Sequence, residues 1–332
     1  IRKINERFVF NNKELNDDEL SELLEIVEKA NNNEPITFFE ILTAAYFYKA
    51  ADYPENINLI ETGLFHRFDA TNILNQNLAS VVTSIGLDHL DWLPKNEQTI
   101  EKIIFEKTSS LLNSNIIIAN QNNKKTIDCI KKTIKKNQSN KFYFNEDFSY
   151  SEGENNFFNF EDKFGGLKLP KPNVLGQYQL ENISTAIATI RTLNFNINDE
   201  HIKKGIQKIN NTARLQEIKV GKLKNLVKNN LFLISGDHNA DGARVLNEYL
   251  KSLDCKKHVI IGMMKNKEHE EYINYFKDIS SITTIDIPNQ PNSINGKKLK
   301  EKFKSMSNVQ FKNSIEEAIK SVPLNNGDLL LI

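Results

Sequence analysis

Apolar positions along the chain recur in two rhythms, and the rhythms alternate. Leu20, Leu23, Leu24 and Val27 fall at helical spacing behind an acidic first turn, Asp17-Asp18-Glu19, which predicts an early helix. Pro35 opens a second helical stretch, apolar on nearly every side from Phe38 to Ala51, the pattern of a helix buried on most faces. Short continuous apolar runs follow: INLIE (57–61), LASVVTSI (78–85) and NIIIA (115–119), with helical patterns at 99–107 and 125–135 between and after them. Residues 141–170 break the alternation, and KFYF and FFNF predict short antiparallel strands. Two helices come next, Tyr178 to Leu193 and one capped by Asn198-Asp199 that runs to about Ile209. Asn210-Asn211-Thr212 is a polar joint that predicts a domain boundary, giving residues 1–211 and 212–332. After it LFLIS, HVIIG, SITTIDI, NVQF and DLLLI alternate with helices at 241–253 and 269–279, from Lys297 and from Ser314. Apolar strands alternating with helices predict two α/β domains built on parallel sheets covered on both faces.

Length and charge narrow the class. The 332 residues allow two domains, each with its own core. Lys+Arg and Asp+Glu both number 43, and this balance argues against a general nucleic-acid or membrane-surface binder. Cys129 and Cys255 stand in no metal-ligand or CxxC spacing, so a reduced, cytoplasmic home is expected. No apolar run approaches the roughly 20 residues of a membrane span, and no signal peptide is evident. The start at Ile1 and the strand-like end at Ile332 suggest a piece of a longer chain.

Polar residues gather where strands end, which is where open α/β sheets bind ligands. Glu61 ends INLIE, Asp88-His89 follow LASVVTSI, and Asp237-His238-Asn239 lie between LFLIS and a helix N-terminus that favours anions. A carboxylate and an imidazole at neighbouring strand ends can share a divalent metal, although a strand-end Glu or His is more often a cap or loop contact.

Several segments together resemble the folylpolyglutamate synthase/dihydrofolate synthase family of the Mur ligase superfamily. ITFFEILTAA is similar to "LTxFExxTA", IETGLFHRFDATN to "LEVGLGGRLDATN", and TSIGLDHLDWL to "TSIGxDHxxxLG". IIFEKTSSL is similar to "IAxEKAGI", LGQYQLENISTAIA to "GxHQxxNAxxAL", and ARLQEI to "GRxE/Q". SGDHNADGA is similar to "DGAHNPxGA", and IIGMMKNKE to the "xxGxxxDKD" turn. The resemblance implies a Mur-ligase-like central ATPase domain, shortened at its N-terminus, plus a smaller Rossmann-like C-terminal domain. It implies a monomer that binds no nucleic acid and no membrane, and that takes ATP, Mg2+, L-glutamate and a folate or dihydropteroate. ATP would activate the folate carboxylate as an acyl phosphate, and the amine of glutamate would displace phosphate to form the amide.

The resemblance also implies roles. Glu61 and His89 match Mg2+ ligands, and Lys107 matches a catalytic lysine carried as a carbamate, which makes it an anionic metal ligand. Phe39 matches an aromatic of the pteridine pocket, with Thr37, Phe38 and Glu40 beside it and Phe68 also near the folate. Asn182 and Arg214 match ATP contacts; Ser235, Asp237, His238 and Asn239 match the nucleotide loop, where His238 is the second catalytic candidate. Without the resemblance Lys107 reads as a surface helix lysine, Phe38 and Phe39 as core, Asn182 as a solvent-facing helix residue, Arg214 as a surface arginine, and His238-Asn239 as an ordinary helix start.

The match is incomplete. No GxxGKG[ST] phosphate loop occurs, and the expectations are a missing upstream segment or a protein that binds folate or nucleotide without catalysis. A Mur-type ligase of a cell-wall peptide precursor is a further alternative, disfavoured by the DATN and ITFFE segments. Phe65-His66 replace a Gly-Gly, Lys95 to Glu97 read as an insertion, and Thr108-Ser109 replace an Ala-Gly. The aspartate of "DGAHN" aligns with Ser235, while Asp237 lies two residues on. Either Asp237 takes over that contact or the contact is lost.

Overall fold

The computed structural model describes residues 3–193, 195–267, 269–276, 278–303, 306 and 308–332. The chain is an α/β protein with parallel and mixed sheets. A two-stranded ribbon, β1 (Val9–Phe10) and β2 (Lys13–Glu14), leads into α1 (Asp17–Ala30) and α2 (Phe38–Ala50). Asn16 and Glu19 close a capping box on α1, and Leu20, Leu23 and Val27 pack with Leu42 and Ala45 of α2. The second helix starts at Phe38 rather than Pro35, because Thr37 and Glu40 cap each other's backbone N–H groups. It is also less buried than its composition suggests. Leu42, Thr43, Ala45 and Ala50 are its buried residues, whereas Phe38 is 70% exposed.

Residues 57–61 are not a strand. They pair with no strand among the described residues, and Leu59 is 91% exposed. A strand needs a partner edge for its backbone N–H and C=O groups, and apolar composition alone does not supply one. The first parallel sheet starts at β3 (Ala79–Val82) and continues through α3 (Ile100–Thr108), β4 (Asn115–Ile118), α4 (Lys124–Thr133) and β5 (Lys141–Tyr143). Its order is β3-β4-β5, with Val82 opposite Ile118 and Ile118 opposite Tyr143. KFYF is therefore parallel, not antiparallel: the crossover helix α4 returns the chain in the same direction. The antiparallel unit is β6 (Phe148–Glu152), β7 (Phe157–Asp162) and β8 (Leu167–Pro170), covered by α5 (Tyr178–Thr192) and α6 (Asp199–Gln207). Phe158, Phe160 and Leu169 meet Ile183, Ile187 and Ile206 in that layer.

The last part begins with β9 (Gln216–Glu217), α7 (Lys222–Val227), β10 (Leu231–Ile234) and α8 (Ala240–Lys251). It continues with β11 (Lys257–Ile261), α9 (His269–Ile273), β12 (Ser281–Thr284), α10 (Gly296–Lys302), β13 (Val309–Phe311), α11 (Ile315–Ser321) and β14 (Leu329–Leu331). The expected helix from 269 to 279 stops at Ile273 and tightens to a single turn at 274–276; Lys277 lies outside the described residues. The strand order is β13-β12-β11-β14-β10-β9, parallel except for β9, which runs antiparallel to β10. One face packs Leu233, Leu246, Val259 and Phe276, and the other packs Phe232, Ile260, Ala318 and Leu330. At the N-terminal ends of the strands a buried polar trio closes the sheet. His258 Nδ1 lies 2.7 Å from Ser281 Oγ, and Nε2 lies 3.3 Å from Asp328 Oδ2. Among the described residues no helix is long and apolar enough to cross a membrane, and Cys129 and Cys255 are free thiols.

Candidate active site

The polar loop at 60–72 is held mainly by its own side chains. Asp69 accepts from the N–H groups of Gly63 (3.1 Å) and Leu64 (2.8 Å) with one oxygen, and from the Thr71 N–H (3.0 Å) and hydroxyl (2.6 Å) with the other. Arg67 donates two 2.8 Å bonds to the carboxylate of Glu106 on α3, and its N–H bonds the Glu106 carbonyl. Ser110, just beyond that helix, meets His66 Nδ1 at 2.8 Å and Asn72 at 3.2 Å. The loop is thereby fixed to the helix that carries Lys107. Burial lowers the pKa of His66, against the pull of Asp69. Hydrogen bonds from Arg67 hold the Glu106 carboxyl below the usual range despite burial, with help from Lys102. Much of the polar density in this segment is therefore architectural.

Gly63 has a specific steric role. A Cβ there would stand 2.7 Å from Phe39 Cζ and 3.2 Å from Asp69 Oδ2, so glycine lets the Phe39 ring lie against the loop. Phe68 is 83% exposed, with the Arg67 guanidinium 4.2 Å above its ring. Phe38 is also exposed, so it is not core. Thr37 and Glu40 are occupied by the capping box, a role that the T-x-x-E spacing signals in the sequence.

A second cluster centres on Asp88, six residues beyond β3. Asn239 Nδ2 donates to Asp88 Oδ2 at 3.0 Å, Lys267 Nζ lies 3.6 Å from Oδ1, and the His89 N–H donates to Oδ1 at 2.9 Å. Burial opposes ionisation of Asp88, yet these donors and the Lys267 charge hold its pKa below the ordinary value. His89 has left-handed backbone (φ 58°), and its ring meets Phe65 edge-on at 6.3 Å. Lys107 is half-buried rather than a free surface lysine: burial lowers its pKa, and the Asp88 charge opposes that shift. Asp88 thus gathers His89 and Lys107 from one half with Asn239 and Lys267 from the other. Glu61 is exposed and makes no hydrogen bond or ion pair among the described residues. Among those residues no three His, Cys, Asp or Glu side chains form a ready metal cluster. Were Mg2+ bound by Glu61 and His89, water and phosphate oxygens would have to complete its shell, and Lys107 could serve as a ligand only in an anionic form.

The third cluster follows β10. Ser235 donates its hydroxyl proton to Asp237, and Arg214 Nη1 lies 3.5 Å from Asp237 Oδ1. Asn239 caps α8 through the Gly242 N–H at 2.9 Å, and exposed His238 meets the Gly236 carbonyl at 3.0 Å. Asn182 faces solvent on α5 without a hydrogen bond among the described residues. Contacts between the halves continue beside this loop. Asn122 donates to Asp241 (3.0 Å) and accepts from Arg244 (2.8 Å). A Cβ on Gly86 would stand 1.4 Å from Asp241 Oδ2, so only glycine allows this approach. Asn122 and Arg244 lie outside every quoted motif; Asp88, Asp241 and Lys267 lie within quoted segments, but their contacts across the halves arise from docking, and Glu268 beside Lys267 lies outside the described residues.

The glutamate ligase domain family of the Mur ligases matches residues 222–332. The chain is 28% identical over 286 residues to dihydrofolate synthase/folylpolyglutamate synthase of Haemophilus influenzae, covering 80% of this chain and 61% of that protein. The likeness to dihydrofolate synthase/folylpolyglutamate synthases thus extends well beyond the matched C-terminal segment. A second relative, the dihydrofolate synthase/folylpolyglutamate synthase of Buchnera aphidicola subsp. Schizaphis graminum, is 26% identical, covering 92% of this chain and 70% of its own length. In fold, E. coli FolC in complex with DHPP and ADP agrees with TM-score 0.83 at 23% identity, covering 99% of this chain and 76% of that one. The Yersinia pestis bifunctional enzyme complexed with AMPPNP and Mn ion gives 0.83 at 21% identity, with the same coverage. The chain therefore spans about three fifths of the length of the H. influenzae protein.

Proposed function

We propose that this chain is the greater part of an ATP-dependent ligase that adds L-glutamate to a folate or dihydropteroate carboxylate. One observation carries the reading: Asp88 draws Lys107 and His89 together with Asn239 and Lys267 at the junction of the two halves. The E. coli relative is described with ADP and DHPP and the Yersinia pestis relative with AMPPNP and Mn ion, which supports the same ligand classes here. We place the boundary at 211/212, between a Mur-ligase-like central domain and a Rossmann-like glutamate ligase domain, and expect a monomer.

In the proposed reaction a folate carboxylate oxygen bonds to the γ-phosphorus of ATP while the bond to ADP breaks. The glutamate amine then bonds to the acyl carbon, phosphate leaves with the C–O electrons, and the amine proton passes to solvent or a base. Mg2+, held by Glu61, His89 and an anionic Lys107, would neutralise charge on the transferred phosphoryl group. The protein's own part is placement. Arg214, Asn182 and the 235–239 loop, His238 included, would face the nucleotide. Phe39 and Phe68 offer aromatic faces to the pterin ring, beside Thr37, Phe38 and Glu40. The lowered pKa of Lys107 increases the neutral amine that carbamylation requires.

The test is mass spectrometry of products from the full-length protein given ATP, Mg2+, glutamate and either dihydropteroate or tetrahydrofolate. A product heavier by one glutamyl unit, lost in Lys107→Ala, is expected. Nucleotide and folate binding without turnover would replace the ligase with a non-catalytic binder.

A further inference from the structure

We infer that Asp237 supplies, from two positions further along the chain, the carboxylate that the "DGAHNPxGA" pattern carries at the place of Ser235. Its task is to position Arg214 at the joint between the two halves. The nucleotide part of this inference rests on the ligase reading; the geometric part does not.

β10 ends at Ile234, and residues 235–238 follow without regular structure. In a continuing strand, side chains two residues apart would stand nearly 7 Å from each other. Here the two side chains reach each other across Gly236, and the Ser235 hydroxyl donates directly to Asp237 Oδ2. The carboxylate of residue 237 therefore lies one hydrogen bond from the side chain of residue 235. Ser235 Oγ also accepts from the Leu215 N–H at 3.3 Å, and the Gly236 N–H donates to the Ala213 carbonyl at 2.7 Å. These bonds hold a strained joint, because Ala213 (φ 56°) and Leu215 (φ 51°) both adopt left-handed backbone despite carrying a Cβ.

The second carboxylate oxygen faces Arg214, 3.5 Å from Nη1. Asp237 is mostly covered, at 15% side-chain exposure, whereas Arg214 is 48% exposed. The carboxylate thus anchors one side of the guanidinium and leaves its other N–H groups for an anionic ligand. Room for the carboxylate is built into α8: a Cβ on Gly242 would stand 2.9 Å from Asp237 Oδ1. Tyr178 and Tyr272 lie close enough to feel this charge. Burial raises both phenol pKa values, and Asp237 adds to each. Asp237 is therefore a positioning residue, and its carboxylate reaches the side chain of residue 235 from two positions further along.

The experiment moves the carboxylate back. Asp237→Ala, Asp237→Asn and the double variant Ser235→Asp/Asp237→Ala are made in the full chain. Two readouts are taken: titration calorimetry with ADP and Mg2+, and the rate of tryptic cleavage after Arg214. Asp237→Ala should weaken ADP roughly tenfold, as loss of a charge-assisted partner does, and should speed cleavage. Asp237→Asn should fall between it and the unaltered protein, and the double variant should recover both readouts. Unchanged behaviour of Asp237→Ala, or a double variant no better than it, would overturn the inference. Faster cleavage with unchanged ADP affinity would overturn the nucleotide task. If the unaltered protein binds no ADP, the ligase reading loses its support, and the cleavage series alone decides whether the two positions are equivalent.

Discussion

In the six-stranded sheet β14 runs between β10 and β11, and Leu329, Leu330 and Leu331 are all buried with layers on both faces. In the three-stranded sheet the edge strand β3 leaves Val81 46% exposed, and the nearby run at 57–61 passes unpaired with Leu59 in solvent. The first region is held by apolar area removed from water. The second is held to a larger extent by polar ties, Asp69 to its loop and Arg67 to Glu106. The candidate chemistry lies mainly on the second region and at its junction with the first. Binding residues can thus sit where backbone and side chains are less fully committed to packing.

The comparison breaks most readily in the cores. Leu330→Ala should cost about 2–5 kcal/mol in urea unfolding, as fully buried leucines do. Val81→Ala at the exposed edge should stay within about 0.5 kcal/mol. Equal costs would mean that β3 is covered in solution. At the junction, Gly86→Ala should cost on the order of 1–3 kcal/mol as an overpacked contact, or else part the halves. Small-angle scattering distinguishes the two results, and adding Asp241→Ala should reverse either.

How much of this was legible in the sequence depended on whether a segment's partner was also encoded locally. NIIIA, LFLIS and HVIIG became strands as read, because each is flanked by the turns and helices that deliver neighbours. INLIE has the same texture and is not a strand, since composition says nothing about a missing edge. KFYF has strand character, but its direction was set by α4 and not by its own residues. The all-round apolar pattern of α2 overstated its burial. Strand-end position pointed weakly to Glu61 and His89, and only the family resemblance added Lys107. Asp88 as a hub and Gly86 as a contact point depend on the docking of distant segments, which no spacing rule expresses.

Acid titration sharpens the contrast between the regions. Burial holds the His258 imidazole below its ordinary 6.5, against the opposing pull of Asp328. The unfolded chain then takes up this proton first as pH falls. The trio's contribution is complete above about 6.5 and declines as pH falls toward the lower folded value. Asp328, itself kept below the usual carboxylate range, and neighbouring Lys256 are the charges that face this ring. Glu106 behaves likewise one step lower: its contribution is complete above about 4.5 and lost as pH falls through its lowered folded value. His258→Gln should flatten the first decline and Glu106→Gln the second, as read from unfolding midpoints between pH 3 and 7. The smallest effect belongs to Phe68→Ala. It should leave stability within about 0.5 kcal/mol while weakening folate binding in a fluorescence titration.

The long reach of the ties around the candidate site also sets when it can form. Arg67 meets Glu106 across 39 residues of sequence, His66 meets Ser110 across 44, and Asn239 meets Asp88 across 151. Such closures cost chain entropy as strand pairings do, yet each gives only a few polar contacts in return. The scaffold must therefore be in place before the site is. In pulse-labelled hydrogen exchange during refolding, the amides of Val259 and Ile260 should gain protection before those of Gly63 and Leu64. A newly made molecule would then pass through an interval in which it is folded and not yet competent.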